Sequence, residues 1–111
     1  MQSARIEKLL EFLSKEPGDP FLKYALATEY VSMNDTGTAL TYYEDLIQNH
    51  PDYVGTYYHL AKLYEALGRR DDAVTTYQQG MQAARNARDQ HAFSELQAAY
   101  QACMGLDYED D

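Results

Sequence analysis

Two consecutive stretches decide the fold. Residues 19–52 read DPFLKYALATEYVSMNDTGTALTYYEDLIQNHPD, and residues 53–86 read YVGTYYHLAKLYEALGRRDDAVTTYQQGMQAARN. Laid over each other at a shift of 34 residues, they match at Tyr24 and Tyr58, Leu26 and Leu60, Ala27 and Ala61, and Tyr30 and Tyr64. The register continues through Ala39 and Ala73, Thr41 and Thr75, Tyr43 and Tyr77, and Gln48 and Gln82, with Leu40 on Val74 and Ile47 on Met81 as conservative pairs. Pro17 and Pro51 keep the same spacing. Chance gives roughly two identities over such a window at average residue frequencies. Eight identities in helical phase make a repeat.

Each copy reads as two helices. Asp19-Pro20 is a helix start, with Asp as the cap and Pro at the first helical position, where its missing N–H costs nothing. Leu22, Ala25, Leu26, Tyr30 and Met33 then recur at helical spacing. Asn34-Asp35-Thr36-Gly37 breaks that helix, and Ala39, Leu40, Tyr43, Leu46 and Ile47 define the next. His50-Pro51-Asp52 ends it and offers a new cap at Asp52. The second copy predicts a helix from about Tyr53 to Leu67, a stop at Gly68, and a helix from about Asp71 into Arg85. No segment sustains the period-two alternation of a strand.

The flanks read as partial repeats. Ile6, Leu9 and Leu13 overlay Leu40, Tyr43 and Ile47 at the same shift, which makes the first helix a second-type helix without its partner. Phe93, Leu96 and Tyr100 match Tyr57, Leu60 and Tyr64 at a shift of 36, an insertion near Asn86 to Gln90 accounting for the slip. Polar Glu95, Gln97 and Gln101 suit a terminal cap that covers the last repeat and faces water. The expected organisation is one domain: a half-repeat helix over 1–18, repeats over 19–52 and 53–86, a capping helix over 87–105 and an acidic tail over 106–111. The expected fold class is all-α, about six helices in antiparallel pairs stacked in a short right-handed superhelix, an α-solenoid. Small Ala27, Ala39, Ala61 and Ala73 let paired helices approach, and Tyr30, Tyr43, Tyr64 and Tyr77 fill the gaps between layers.

With 111 residues, 45% apolar and 24% charged, the chain has the composition of one globular domain able to fold without metals or disulfides. The apolar runs are too short to span a membrane. The first residues lack the apolar core of a secretory signal. A single cysteine, Cys103, forms no internal disulfide and fits a reducing compartment, so the expected address is cytoplasmic. Nine basic against eighteen acidic residues leave a formal charge of −9, which argues against nucleic acid, because phosphate binding needs clustered Lys and Arg. Asp107, Glu109, Asp110 and Asp111 supply four of those charges and are expected to be a solvated terminus.

These residues resemble the tetratricopeptide repeat family, whose unit follows W-x-x-L-G-x-x-Y, then A-x-x-x-F, then P. Lys23, Leu26, Ala27, Tyr30, Ala39, Tyr43 and Pro51 stand in those places in the first copy, and Tyr57, Leu60, Ala61, Tyr64, Ala73 and Tyr77 in the second. Lys23 replaces the aromatic residue, Ala27 and Ala61 the glycine, and Arg85 the closing proline. The resemblance implies that the first helix of each pair lines a concave groove and that the protein binds another protein or peptide. Family members that grip the acidic C-terminal tails of large chaperones use Lys and Asn on the first groove helix, Asn on the next, and Lys and Arg on the third. Here those places hold Tyr24, Thr28 and His59, then Asp89 and Phe93, or His91 and Glu95 with the insertion counted, so chaperone tails are not the expected partner.

No catalytic constellation emerges. His50, His59 and His91 lack a second ligand at helical spacing, Cys103 has no histidine near it in sequence, and no glycine-rich phosphate loop is present, so neither enzyme activity nor a cofactor or metal is expected. Asp71-Asp72 and Glu44-Asp45 read as helix-end or solvated carboxylates. The candidate binding residues are Tyr24, Thr28, Tyr58, His59, Lys62 and Glu65, with Tyr24 and Tyr58 recurring on the inner face and Lys62 set to pair a partner acid. Two alternatives stay open. The tyrosines could simply pack against neighbouring helices, or the groove or an exposed end could be covered by a second copy in a homodimer.

Overall fold

The computed structural model describes residues 3–105, so residues 106–111 and the expectation of a solvated acidic tail lie outside the described part. Six α-helices follow one another: α1 (Ala4–Lys15), α2 (Pro20–Ser32), α3 (Thr36–Asn49), α4 (Gly55–Ala66), α5 (Arg70–Asn86) and α6 (Gln90–Met104). No strand occurs among the described residues, and the fold is all-α, as the repeat predicts. The helices group into two compact units, one ending at His50 and the other starting at Pro51.

The first unit is α1, α2 and α3, with α2 packed against both neighbours. Ser3 caps α1 by accepting from the Ile6 N–H at 3.0 Å, and Asp19 caps α2 by accepting from the Phe21 N–H at 2.9 Å. Each cap contributes about 1 kcal/mol relative to alanine. Ile6 and Leu9 of α1, Leu22, Ala25, Leu26, Ala27 and Tyr30 of α2, and Ala39, Tyr43 and Leu46 of α3 are all buried and form the core of this unit. Two ion pairs tie the helices: Arg5 to Glu29 at 3.0 Å between α1 and α2, and Lys23 to Asp45 at 2.7 Å between α2 and α3. Lys23, standing where the family pattern has an aromatic residue, thus replaces ring packing with charge. The Tyr30 and Tyr42 rings stack with centroids 5.9 Å apart.

The second unit is α4, α5 and α6; α5 packs on both others, and α4 also meets α6. Ala61, Ala73 and Tyr77 are fully buried, with Tyr57, Leu60 and Leu96 almost so. The expected cap at Asp52 is not used. α4 begins three residues later at Gly55, and its N-cap position, Val54, makes no side-chain cap bond. The stretch before α4 is held instead from inside the unit: the buried Tyr57 hydroxyl donates to the Pro51 carbonyl. A phenol thus takes over an anchoring role that a carboxylate was expected to fill.

Three of the five helix–helix turns share one solution. Asn34, Gly68 and Arg88 each take a left-handed conformation, at φ 63°, 77° and 58°. The next residue then donates back to the carbonyl five positions before it: Asp35 to Tyr30, Arg69 to Tyr64, and Asp89 to Ala84. These bonds satisfy carbonyls that a helix end would otherwise leave open.

Two positions in the second unit break sequence-level expectation. Gly80 lies in the middle of α5, where glycine is a poor helix former. A Cβ built there would sit 2.5 Å from the Cβ of Tyr57 and 3.1 Å from Cδ2 of Leu96, so the glycine is the clearance at which α5 crosses α4 and α6. Gly80→Ala would gain about 1 kcal/mol of helix propensity. The contact with Tyr57 Cβ, fixed to backbone, cannot relax cheaply and costs about 1–3 kcal/mol. The expected outcome is a lower urea midpoint than the native protein; an unchanged or higher midpoint would show that the crossing has slack. Thr56 is fully buried, and its hydroxyl has no hydrogen-bond partner. Thr56→Val keeps the shape and removes the orphaned group, so it should raise stability by about 1 kcal/mol in the same assay.

Candidate functional site

The six residues singled out by sequence lie on α2 and α4 and divide by what they touch. On α4, Tyr58 and Lys62 are one turn apart, and Lys62 Nζ stands 5.7 Å from the Tyr58 ring centroid. His59 meets the same tyrosine edge-on, with centroids 5.6 Å apart. Tyr58 and His59 are half-buried and Lys62 is exposed, so this part of α4 presents an aromatic ring with a cation over it. Burial holds the His59 imidazole below its ordinary value of 6.5, opposed by the Glu95 carboxylate on α6. Its ring is therefore neutral at pH 7.

Glu65 has another task. It accepts a hydrogen bond from the hydroxyl of Tyr77, a fully buried ring of α5. In the first unit the equivalent buried ring is Tyr43 of α3, and its hydroxyl lies 3.1 Å from Oγ1 of Thr28 on α2, which also donates to the Tyr24 carbonyl at 3.0 Å. Thr28 and Glu65 are not at equivalent repeat positions: Lys62 stands 34 residues after Thr28, and Glu65 stands 34 after Val31. The two copies satisfy the same buried hydroxyl from adjacent turns of the first helix. That role was not legible in sequence, because it depends on how far each phenol reaches across the hairpin. Tyr24 stays half-buried, with the exposed ring of Phe21 tilted beside it at 6.5 Å between centroids.

Arg70 and Cys103 were missed as neighbours of the α4 residues. The Arg70 Nε donates to the Cys103 carbonyl at 3.2 Å, so the first residue of α5 caps the C-terminal end of α6. The Cys103 thiol is pushed up by burial and by the Glu65 carboxylate, with Arg70 and Lys62 pulling the other way. It stays protonated near neutrality and is a poor nucleophile. Sequence spacing gave no signal for this meeting, since it needs α6 to return alongside α4. Among the described residues no group of three or more His, Cys, Asp or Glu gathers as a metal site, and no helix is long and apolar enough to cross a membrane.

A family model described as tetratricopeptide repeat matches residues 30–100. The chain belongs to the tetratricopeptide repeat family. A tetratricopeptide repeat domain protein from Salinibacter ruber, solved in solution, is 48% identical, with a TM-score of 0.78 over 86% of this chain and 96% of that one. A crystal structure of a tetratricopeptide repeat domain protein from the same organism is 50% identical, with a TM-score of 0.76 over 80% of this chain and all of that one. A protein from Bordetella parapertussis shares the fold at 24% identity and a TM-score of 0.78, covering 96% of this chain and 92% of that one. No curated protein matches. As a tetratricopeptide repeat domain the chain has the architecture of a protein-interaction scaffold.

The buried phenols of this domain make it sensitive to alkali. Burial raises Tyr43, Tyr57 and Tyr77 above the ordinary value of 10.0, and Glu65 adds to the rise at Tyr77 both by hydrogen bonding and by charge. The unfolded chain ionises these phenols near 10, whereas the folded one keeps them protonated. Stability is therefore fully present below about pH 10 and lost as the pH rises above it. Tyrosinate absorbance and helical ellipticity followed together should show the buried rings ionising only as the helices melt. Full tyrosine titration with the helix signal intact would contradict this.

Proposed function

We propose that this tetratricopeptide repeat domain binds a protein or peptide partner and performs no chemistry of its own. The observation behind this reading is the composition of the α4 face: a half-buried Tyr58 ring with the Lys62 ammonium 5.7 Å from its centroid and His59 against its edge. Rings with a polar tip supply large contact area at low cost in conformational entropy and are favoured anchors at interfaces. Lys62 has no carboxylate partner among the described ion pairs and would pair an acidic side chain of the partner. Tyr24, the equivalent residue on α2, offers a second half-buried ring with Phe21 beside it. Thr28 and Glu65 support these faces by holding the buried phenols of Tyr43 and Tyr77.

The test is comparative capture from host lysate with the native chain and with Tyr24→Ala, Tyr58→Ala and the double variant, each first shown to keep native helix content. A partner retained by the native bait should be lost from the double variant, with each single change weakening it by about tenfold or more. Recovery of the same proteins by all four baits would show that the tyrosines only pack. Lys62→Glu separates the charge contribution: it should weaken an acidic partner and leave the fold unchanged.

A further inference from the structure

The turn between α5 and α6 shares no residue with the α4 face. A cavity of about 330 Å³ opens there, lined by Ala84, Arg85, Arg88, Asp89, Gln90 and Phe93. The Arg85 guanidinium lies 4.9 Å from the centroid of the Phe93 ring. Neither Arg85 nor Arg88 makes an ion pair among the described residues. Asp89, the acidic group in the lining, already accepts from the Ala92 N–H at 3.0 Å as the cap of α6. Two guanidinium groups are thus left facing solvent beside one aromatic wall, in a chain whose formal charge is −9.

Arg88 is also not the residue this turn calls for. It sits at φ 58°, the left-handed position that Asn34 and Gly68 occupy in the α2–α3 and α4–α5 turns. A residue with a Cβ and a long side chain is less stable in that conformation than glycine or asparagine. The turn would close as well with either of those, so its folding requirement does not explain an arginine. What arginine adds is a planar, permanently charged fork that binds a carboxylate through two parallel hydrogen bonds.

We propose that this cavity is a second docking site, which takes an acidic peptide segment of a partner protein. One carboxylate pairs with Arg85 and Arg88, and an adjacent aliphatic side chain lies against Phe93 and Ala84. The acidic remainder of the surface repels such a segment, which favours its placement at this cationic point.

Fluorescence anisotropy tests the site with a fluorescein-labelled peptide of alternating Leu and Glu, blocked at both ends, and a control in which every Glu is Gln. The native chain should bind the acidic peptide and not the control, and salt should weaken the binding. Arg88→Gly and Arg85→Gln should each reduce affinity by about tenfold. Arg88→Gly should at the same time raise the melting temperature by a few degrees, about 2–4 °C, because glycine relieves the left-handed turn. That rise separates loss of a ligand contact from loss of the fold. Equal binding of both peptides, no binding of the acidic one, or unchanged affinity in both arginine variants would overturn the proposal. So would an Arg88→Gly variant that loses binding and melts earlier than the native chain.

Discussion

A tyrosine ring buried to the last atom still carries a hydroxyl that must be hydrogen-bonded, and both helix hairpins of this domain are built around that demand. Tyr43 is 1% exposed and Tyr77 is wholly buried, each on the second helix of its pair. Each reaches a polar side chain on the first helix: Thr28 in one unit and Glu65 in the other. A net hydrogen bond stabilises by about 1 kcal/mol, whereas a buried phenol left without one costs about 1–3 kcal/mol. The penalty is therefore the stronger constraint, and it fixes which side of α2 and α4 turns toward the hairpin. Alanines at 27, 39, 61 and 73, all fully buried, make the close approach possible that brings each phenol within reach.

This demand divides the residues that a sequence reading would assign to a binding face. Thr28 and Glu65 are partly employed inside the fold, while Tyr58, His59 and Lys62 form a cluster of their own on α4. The copies are similar enough for repeat alignment to reveal, yet they solve the same problem with different residues one turn apart. The buried ring is retained, and its partner is drawn from whichever nearby side chain reaches.

The architecture was legible in sequence because it rests on periodicity. Tyr, Leu and Ala recurring at 34 residues placed the helix pairs, and Asn34 and Gly68 marked two of the three left-handed turns. What escaped was set by distances across the fold. Asp52 has the right chemistry for a cap and stands before the helix, but α4 starts later and the Tyr57 phenol anchors the preceding chain. Gly80 looks like a weakness in a helical run until the Cβ of Tyr57 is seen to occupy its missing side chain. Arg88 resembles an ordinary loop arginine, since nothing in its neighbours in sequence announces a positive φ. Helical spacing puts Tyr58, His59 and Lys62 near one another on α4, but their internal geometry, with Lys62 over Tyr58, belongs to side-chain packing that no spacing rule encodes.

The two units also differ at the equivalent positions Lys23 and Tyr57. In the first, α1 and α2 are linked by Arg5 and Glu29, and α2 and α3 by Lys23 and Asp45. In the second, the corresponding position to Lys23 is Tyr57, whose ring is buried and whose hydroxyl holds a carbonyl. Ions in the surrounding solution screen the first kind of linkage and leave the second almost untouched. Added salt therefore weakens the Arg5–Glu29 and Lys23–Asp45 pairs and leaves the Tyr57 anchor in place. A chain built from one repeated pattern thus answers salt differently at two equivalent positions, Lys23 and Tyr57, because one copy carries a charge where the other carries a ring.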